Sequence, residues 1–388
     1  MQKKRILIFN DCLYLGGTEI LLINLLHHLV KKDCNVTLML PNPSDRNVLL
    51  NRVPKEVHLH YIFPQQLTGL KKWIYTNTLI FCPRLFAKQI KFDEKKYDEI
   101  ICFKDGFYSI LFSKSKRPKY LWIHNQPYHR KYISKSLKES FAFLLNRFQI
   151  ERMNACFDLY DRIFCVSESC KQGYIDIYNN GHAKKEIEVL FNALDLSGIA
   201  LKAEEPIDLI KPDRMCFVIV IRLSHEKTVD RAILATDRLL KEGYDFEVRI
   251  LGDGAEFQKL QSLITEHKLN DWITMYGRVS NPFPYMKQAD WFLCPSSRES
   301  FALTLIEAIT LGTPVITTAC GGPEDVIDGG RYGVLTENSF EGVYLGMKKV
   351  MDDRTLHPYF RSKKQECMDR FDYKKWLNAI DEILDINL

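Results

Sequence analysis

The 388-residue chain has no apolar stretch long enough to cross a bilayer, which takes about 20 residues. Its longest such run, residues 20–30, is broken by Asn24, His27 and His28. A secretory leader is not expected either, because Met-Gln-Lys-Lys-Arg is followed by only a short apolar run, residues 6–9, before Asn10 and Asp11. The 11 cysteines include no Cys-x-x-Cys pair and no His/Cys zinc spacing. Several, such as Cys102 and Cys294, stand inside apolar runs. They read as small buried hydrophobes in a reducing compartment, without disulfides. There is no Pro/Gly/Ser tract, no complete Gly-x-Gly-x-x-Gly and no nucleic-acid recognition motif. These absences exclude a membrane-spanning protein, a zinc or disulfide scaffold and long disorder. They leave a folded cytoplasmic protein, at most peripheral at the inner face of the cell membrane, with no nucleic-acid partner.

The length exceeds what one hydrophobic core usually serves, so two domains are expected. The net charge of +5 hides an asymmetry: residues 1–192 carry +12 and residues 193–388 carry −7. A polyanion would therefore meet only the first half. That half alternates apolar strand-like runs (5–9, 35–40, 57–62, 99–103, 120–123, 162–166 and 187–191) with amphipathic stretches. The second half repeats the plan, with strand-like runs at 216–221, 247–251, 273–276, 291–294 and 314–317 and helical periodicity over 230–241 and 256–267. Such alternation predicts two α/β, doubly wound parallel sheets, which bind ligands at the carboxyl ends of their strands. The polar stretch 192–212, with two prolines, is the expected linker. The expected domains are 1–192 and 193–370, followed by a terminal helical segment, 371–388.

Chemistry concentrates in residues 295–316. An apolar strand enters a polar loop, a helix is expected from about Phe301, and Gly312 and Pro314 end it. The unpaired amides of Phe301, Ala302, Leu303 and Thr304 would form an anion site suited to a diphosphate. Glu299 before the helix and Glu307 within it flank that position, where carboxylates can accept hydrogen bonds from sugar and ribose hydroxyls. This assembled pattern resembles the Glu–seven residues–Glu motif of retaining family 4 (group 1) glycosyltransferases with the GT-B fold.

The resemblance implies two Rossmann-like domains facing a cleft, 1–192 for an acceptor and 193–370 for a donor, with the terminal segment 371–388 returning toward the first. It also implies roles for Arg222 and Lys227, which stand where the family holds the donor diphosphate and would offset charge on the leaving phosphate in place of a metal. Ile221 and Thr228 occupy places where glycines are common in the family. Weaker agreements are Gly252 and Gly254, suited to close approach of a nucleotide, and Arg278, at a strand end where the family places the base. Gly321-Gly322 resembles a segment near the donor sugar, and Asn192 a hinge. In the first half, Gly16-Gly17 matches a family glycine pair, and His124 a histidine beside the donor sugar. The implied activity is transfer from a nucleotide-sugar donor, UDP-linked by preference, to a glycan or lipid-linked acceptor in cell-surface polysaccharide synthesis, with no cofactor or metal. A nucleotide-sugar epimerase and a non-catalytic sugar-nucleotide binding protein are the alternatives.

Two first-half stretches, 70–92 and 130–147, mix Lys/Arg with aromatic and aliphatic residues. That composition suits a segment lying on anionic lipid. It also suits an amphipathic helix packed on its own sheet with a solvated basic face. The expectation leans toward contact with an anionic membrane surface.

Overall fold

Runs such as Ile6–Leu7–Ile8 bury every side chain completely, as strands covered on both faces must. The computed structural model describes residues 3–14, 16–125, 147–149, 151–153, 155–178, 185–207 and 213–386. The stretch 130–147 lies outside them except for Arg147, and so do residues 208–212 of the expected linker. The chain forms two compact units, one of Met1–Asn192 with Trp376–Leu388 and one of Ala193–Lys375.

The first unit holds a parallel seven-stranded sheet: β1 (Arg5–Phe9), β2 (Asn35–Leu40), β3 (His58–Tyr61), β4 (Glu99–Cys102), β5 (Lys119–Ile123), β6 (Arg162–Cys165) and β7 (Ile187–Val189). Its order is β3-β2-β1-β4-β5-β6-β7. The terminal segment belongs to this unit. Asp381 of the helix Tyr373–Ile383 is buried between His28, at 2.7 Å, and Lys32, at 2.8 Å.

The second unit holds a parallel six-stranded sheet: β8 (Met215–Val220), β9 (Phe246–Leu251), β10 (Ile273–Gly277), β11 (Trp291–Cys294), β12 (Val315–Thr318) and β13 (Val334–Thr336). Its order is β10-β9-β8-β11-β12-β13. The helices Asp230–Lys241 and Phe257–Glu266 cover it, burying Ile233, Leu239, Leu260 and Ile264. Twelve of the thirteen strands fall on the expected runs within about two residues. The exception, β13, has only three residues behind Gly333, too short for alternation to register. All 11 cysteines are free. Among the described residues no helix is long and apolar enough to cross a membrane.

Candidate functional site in the second unit, with a cluster in the first

In the second sheet the chain order runs away from β8 on one side and from β11 on the other. The loops after these two neighbours, which open the sheet at its switch point, carry the two strongest sequence motifs. Lys227 Nζ lies 2.5 Å from Glu299 Oε1, and both side chains are mostly buried. Ser296 Oγ donates to the same oxygen at 3.3 Å. The loops are stitched together: the Ser297 amide and hydroxyl each donate to the Glu226 carbonyl at 2.9 Å, and the Thr228 hydroxyl donates to the Pro295 carbonyl at 2.8 Å. Arg222 stands exposed at the end of β8. Glu226 is held below the usual carboxylate range: burial opposes this but is outweighed by the Ser224 hydroxyl, its own amide and the charges of Lys227 and Arg222. The arrangement fixes one cation, Lys227, and presents a second, Arg222, beside the loop that leads into the next helix.

That helix, Leu303–Thr310, begins two residues later than expected. Ala302 before it adopts a left-handed conformation, φ 59°, and Phe301 is buried with its ring 5.9 Å from that of Phe371. The Phe301 side chain therefore serves packing, and its backbone amide stands in the turn before the helix. Leu303 and Thr304 supply the amides at the helix start, since the Leu305 amide already donates to the Ala302 carbonyl at 3.0 Å. Glu307 is half-buried on this helix. Burial pushes its carboxyl up to about 7, and no described residue hydrogen-bonds it. An unpartnered carboxylate at partial burial is ready to accept ligand hydroxyls.

The glycines have structural reasons of their own. A Cβ on Gly252, at φ 144°, would stand 1.8 Å from the Ile221 carbonyl oxygen, and one on Gly254 2.2 Å from that of Leu223. Their close backbone approach is thus to the loop bearing Arg222, where the sequence reading placed a nucleotide. Gly322 meets the Ser300 carbonyl in the same way, at 2.1 Å, and its amide donates to the Glu299 carbonyl at 2.9 Å. Arg278 is exposed at the end of β10, the edge strand two positions from β8; it makes no direct contact with the Lys227–Glu299 pair.

The first sheet also switches direction, between β1 and β4, and a polar cluster missed by sequence reasoning gathers there. Lys104 Nζ is 3.2 Å from both Asp11 and Glu19. Gly16 caps the helix Gly17–Lys31, and a Cβ at Gly16 would lie 2.5 Å from Glu19 Oε2. Asp105 follows Lys104, and burial raises its carboxyl to about 6. His124, after β5, donates its amide to Asp105 at 3.4 Å. Its ring is buried 4.9 Å from Phe103, and among the described residues neither nitrogen has a hydrogen-bond partner. Burial, then the charge of Lys104, depresses it to about 3, so the imidazole is neutral near pH 7. The signal that would have found Lys104 and Asp105 is their place at the carboxyl end of β4, next to β1.

Residues 202–366 match the family model for glycosyl transferases group 1, and residues 15–197 match that for glycosyltransferase family 4. The chain belongs to the group 1, family 4 glycosyltransferases. Among relatives in this family it is 29% identical over 243 residues to the N-acetylgalactosamine-N,N'-diacetylbacillosaminyl-diphospho-undecaprenol 4-alpha-N-acetylgalactosaminyltransferase of Campylobacter jejuni, covering 62% of this chain and 63% of that protein. It is 30% identical over 172 residues to the lipopolysaccharide 1,6-galactosyltransferase of Escherichia coli, covering 43% of this chain and 45% of the relative. The matches thus span less than two thirds of the length of these relatives. Anabaena Alr3699/HepE in complex with UDP and glucose superposes with TM-score 0.72 at 18% identity, over 98% of this chain and 99% of that one. The sucrose-phosphate synthase of Thermosynechococcus elongatus gives 0.75 at 16% identity, over 99% and 98%. These likenesses show the GT-B fold.

The backbone explains both departures from the glycosyltransferase pattern. Thr228 sits at φ 40°, a left-handed conformation that glycine adopts without strain, and here the Thr228–Pro295 hydrogen bond holds it. Ile221 is not among the residues of positive φ, so no glycine is required there.

Proposed function

We propose that this chain is a retaining, metal-independent glycosyltransferase. In this reading it moves a sugar, preferably from a UDP-sugar, to a glycan or lipid-linked acceptor in the cytoplasm, in the service of cell-surface polysaccharide. The observation that carries the reading is the Lys227–Glu299 pair at 2.5 Å at the switch point of the second sheet, with Arg222 on the adjoining strand end. Lys227 and Arg222 would stabilise the diphosphate as the bond from the anomeric carbon to its oxygen breaks, aided by the amides of Leu303 and Thr304. Glu299 would position the sugar, Glu307 the ribose, and neutral His124 a sugar hydroxyl. The acceptor oxygen attacks from the face the phosphate leaves, and its proton passes to the departing phosphate oxygen. No side chain acts as nucleophile. The UDP preference draws on the UDP held by the Anabaena protein, and the lipid-linked acceptor on the name of the Campylobacter relative. Eleven unpaired cysteines suit a reducing compartment.

The test is a panel of nucleotide sugars scored by thermal stabilisation, since a ligand of the folded state raises the melting temperature. The stabilising donor is then incubated with candidate acceptors, with and without EDTA, and the anomeric configuration of the product is read by NMR. Retained configuration and EDTA-insensitive transfer are expected. An inverted product, loss of rate with EDTA, or a donor converted without any acceptor would overturn the corresponding part of the reading.

A further inference from the structure

His124 stands directly after β5, and the peptide group that leads into it is held at both ends by side chains from other elements. At one end its N–H, the His124 amide, donates to the Asp105 carboxylate at 3.4 Å, from the loop after β4. At the other end its carbonyl, that of Ile123, accepts the Cys170 thiol at 3.5 Å, in addition to the Val166 amide at 3.3 Å. The same thiol lies 3.6 Å from the Asn125 carbonyl, on the far side of His124. Cys170 is fully buried in the first turn of the helix Glu168–Tyr178. It is fixed in its turn: its amide donates to the Ser167 hydroxyl at 3.0 Å, and the Cys165 thiol hydrogen-bonds it from the end of β6.

Sheet cohesion accounts for these contacts only in part. The ladder of β5 with β6 already joins the strands here, and the Ile123 carbonyl already has its Val166 partner before the thiol reaches it. A cysteine buried only as a small hydrophobe has no need of two carbonyls. What the contacts add is a fixed mount for one side chain. The imidazole itself is held by the Phe103 ring at 4.9 Å, a ring contact that sets distance and leaves sliding open. A group that must meet a single sugar hydroxyl gains from losing that freedom, because a displacement of about 1 Å at a reacting site can cost about 10²-fold in rate. Asp105 from one element and Cys170 from another remove it by pinning the backbone on which the ring is carried.

We propose that Asp105 and Cys170 are positioning residues that clamp the peptide group before His124 and so hold its imidazole where it meets the sugar. This rests on the reading of His124 as a sugar contact. Cys170→Ala and Asp105→Leu remove the hydrogen-bonding groups of the clamp, whereas Cys170→Ser and Asp105→Asn keep a hydroxyl and an acceptor oxygen in their places. With the UDP-sugar selected by the stabilisation panel at saturation, the first pair should lose about tenfold or more in kcat, and the conservative pair should recover most of the rate. UDP affinity by calorimetry should stay parental in all four, which also shows them folded. In a His124→Ala background neither Cys170→Ala nor Asp105→Leu should slow transfer further, as residues that act through a third must behave. Apart from any substrate, the His124 ring signal can be followed in chain labelled with carbon-13 at histidine Cε1, identified by its absence from His124→Ala. It should move in the first pair and hold in the conservative pair. Slowing that adds in full to that of His124→Ala, or a parental rate with an unmoved ring signal in Cys170→Ala and Asp105→Leu, would overturn the proposal. A parental rate in His124→Ala itself would sink the sugar-contact reading and the proposal with it, so the speed of that variant tells the two failures apart.

Discussion

Glu299 and Glu307 are carboxylates eight positions apart in very different surroundings. Glu299 is held by Lys227 and Ser296, so Glu299→Gln weakens a charge-assisted contact in the transfer site. Its transfer rate should fall about 10²-fold or more, with little change in melting temperature, as read by product formation and scanning fluorimetry. Glu307 has no such partner, and burial raises it from 4.5 to about 7. Its proton is therefore held more tightly in the folded chain than in the unfolded one. That contribution to stability is fully present below about pH 4.5 and is lost as pH rises through 7. Glu307→Gln, neutral throughout, should escape the loss, and its melting temperature should fall less than the parent's between pH 5 and 8. If the carboxylate receives the ribose, UDP affinity of the parent should rise through pH 7, while Glu307→Gln binds about tenfold more weakly without that pH dependence. Binding by titration calorimetry at several pH values checks this. At this scale the sequence reveals which charges belong to strand ends but not which ones meet. Spacing along the chain separates Lys227 from Glu299 by 72 positions, and only the adjacency of β8 and β11 joins them. The helix start falls two residues beyond Phe301 because Ala302 takes a left-handed φ, which spacing along the chain does not reveal.

The elements were more legible, for a physical reason. Strands covered on both faces are continuous apolar runs, and helices such as Asp230–Lys241 keep a 3.6-residue stripe. Loop backbones hide their reasons, since a glycine may serve a ligand or a neighbouring loop. Gly252 and Gly254 serve the loop at 221–223, and the clash there is with main-chain carbonyls that have no freedom to move aside. Gly252→Ala and Gly254→Ala should each cost several kcal/mol of stability, of the order reserved for backbone clashes and strain, and should weaken nucleotide binding by displacing Arg222. Gly16→Ala should be far milder. The atom it meets is the end of the Glu19 side chain, and Gly16 has an ordinary extended φ of −147°, so a loss of about 1 kcal/mol or less is expected. Urea denaturation of the three variants side by side gives the comparison.

Across the molecule, the chain leaves its first unit at Asn192 and comes back to it at Trp376. The returning segment buries Trp376, Ile380, Leu384 and Ile386 and places Asp381 between His28 and Lys32. Asp381→Ala would leave the Lys32 ammonium beside a cavity without its counterion and the His28 ring without its hydrogen-bond partner. A loss on the order of 3 kcal/mol is expected, seen as a lower urea midpoint and as earlier proteolysis after residue 375. Composition announced the unequal charge of the two halves, +12 against −7, but not that Leu70, Trp73 and Ile74 of the helix Gly69–Phe81 stand exposed, which depends on which side the sheet already occupies. The proposed transfer depends on cations of the second unit meeting a diphosphate. Calorimetric titration of UDP into the parent and into Lys227→Ala tests this most directly. Affinity should drop at least about tenfold in the variant, the loss of one charge-assisted contact; equal affinity in the two proteins would contradict it.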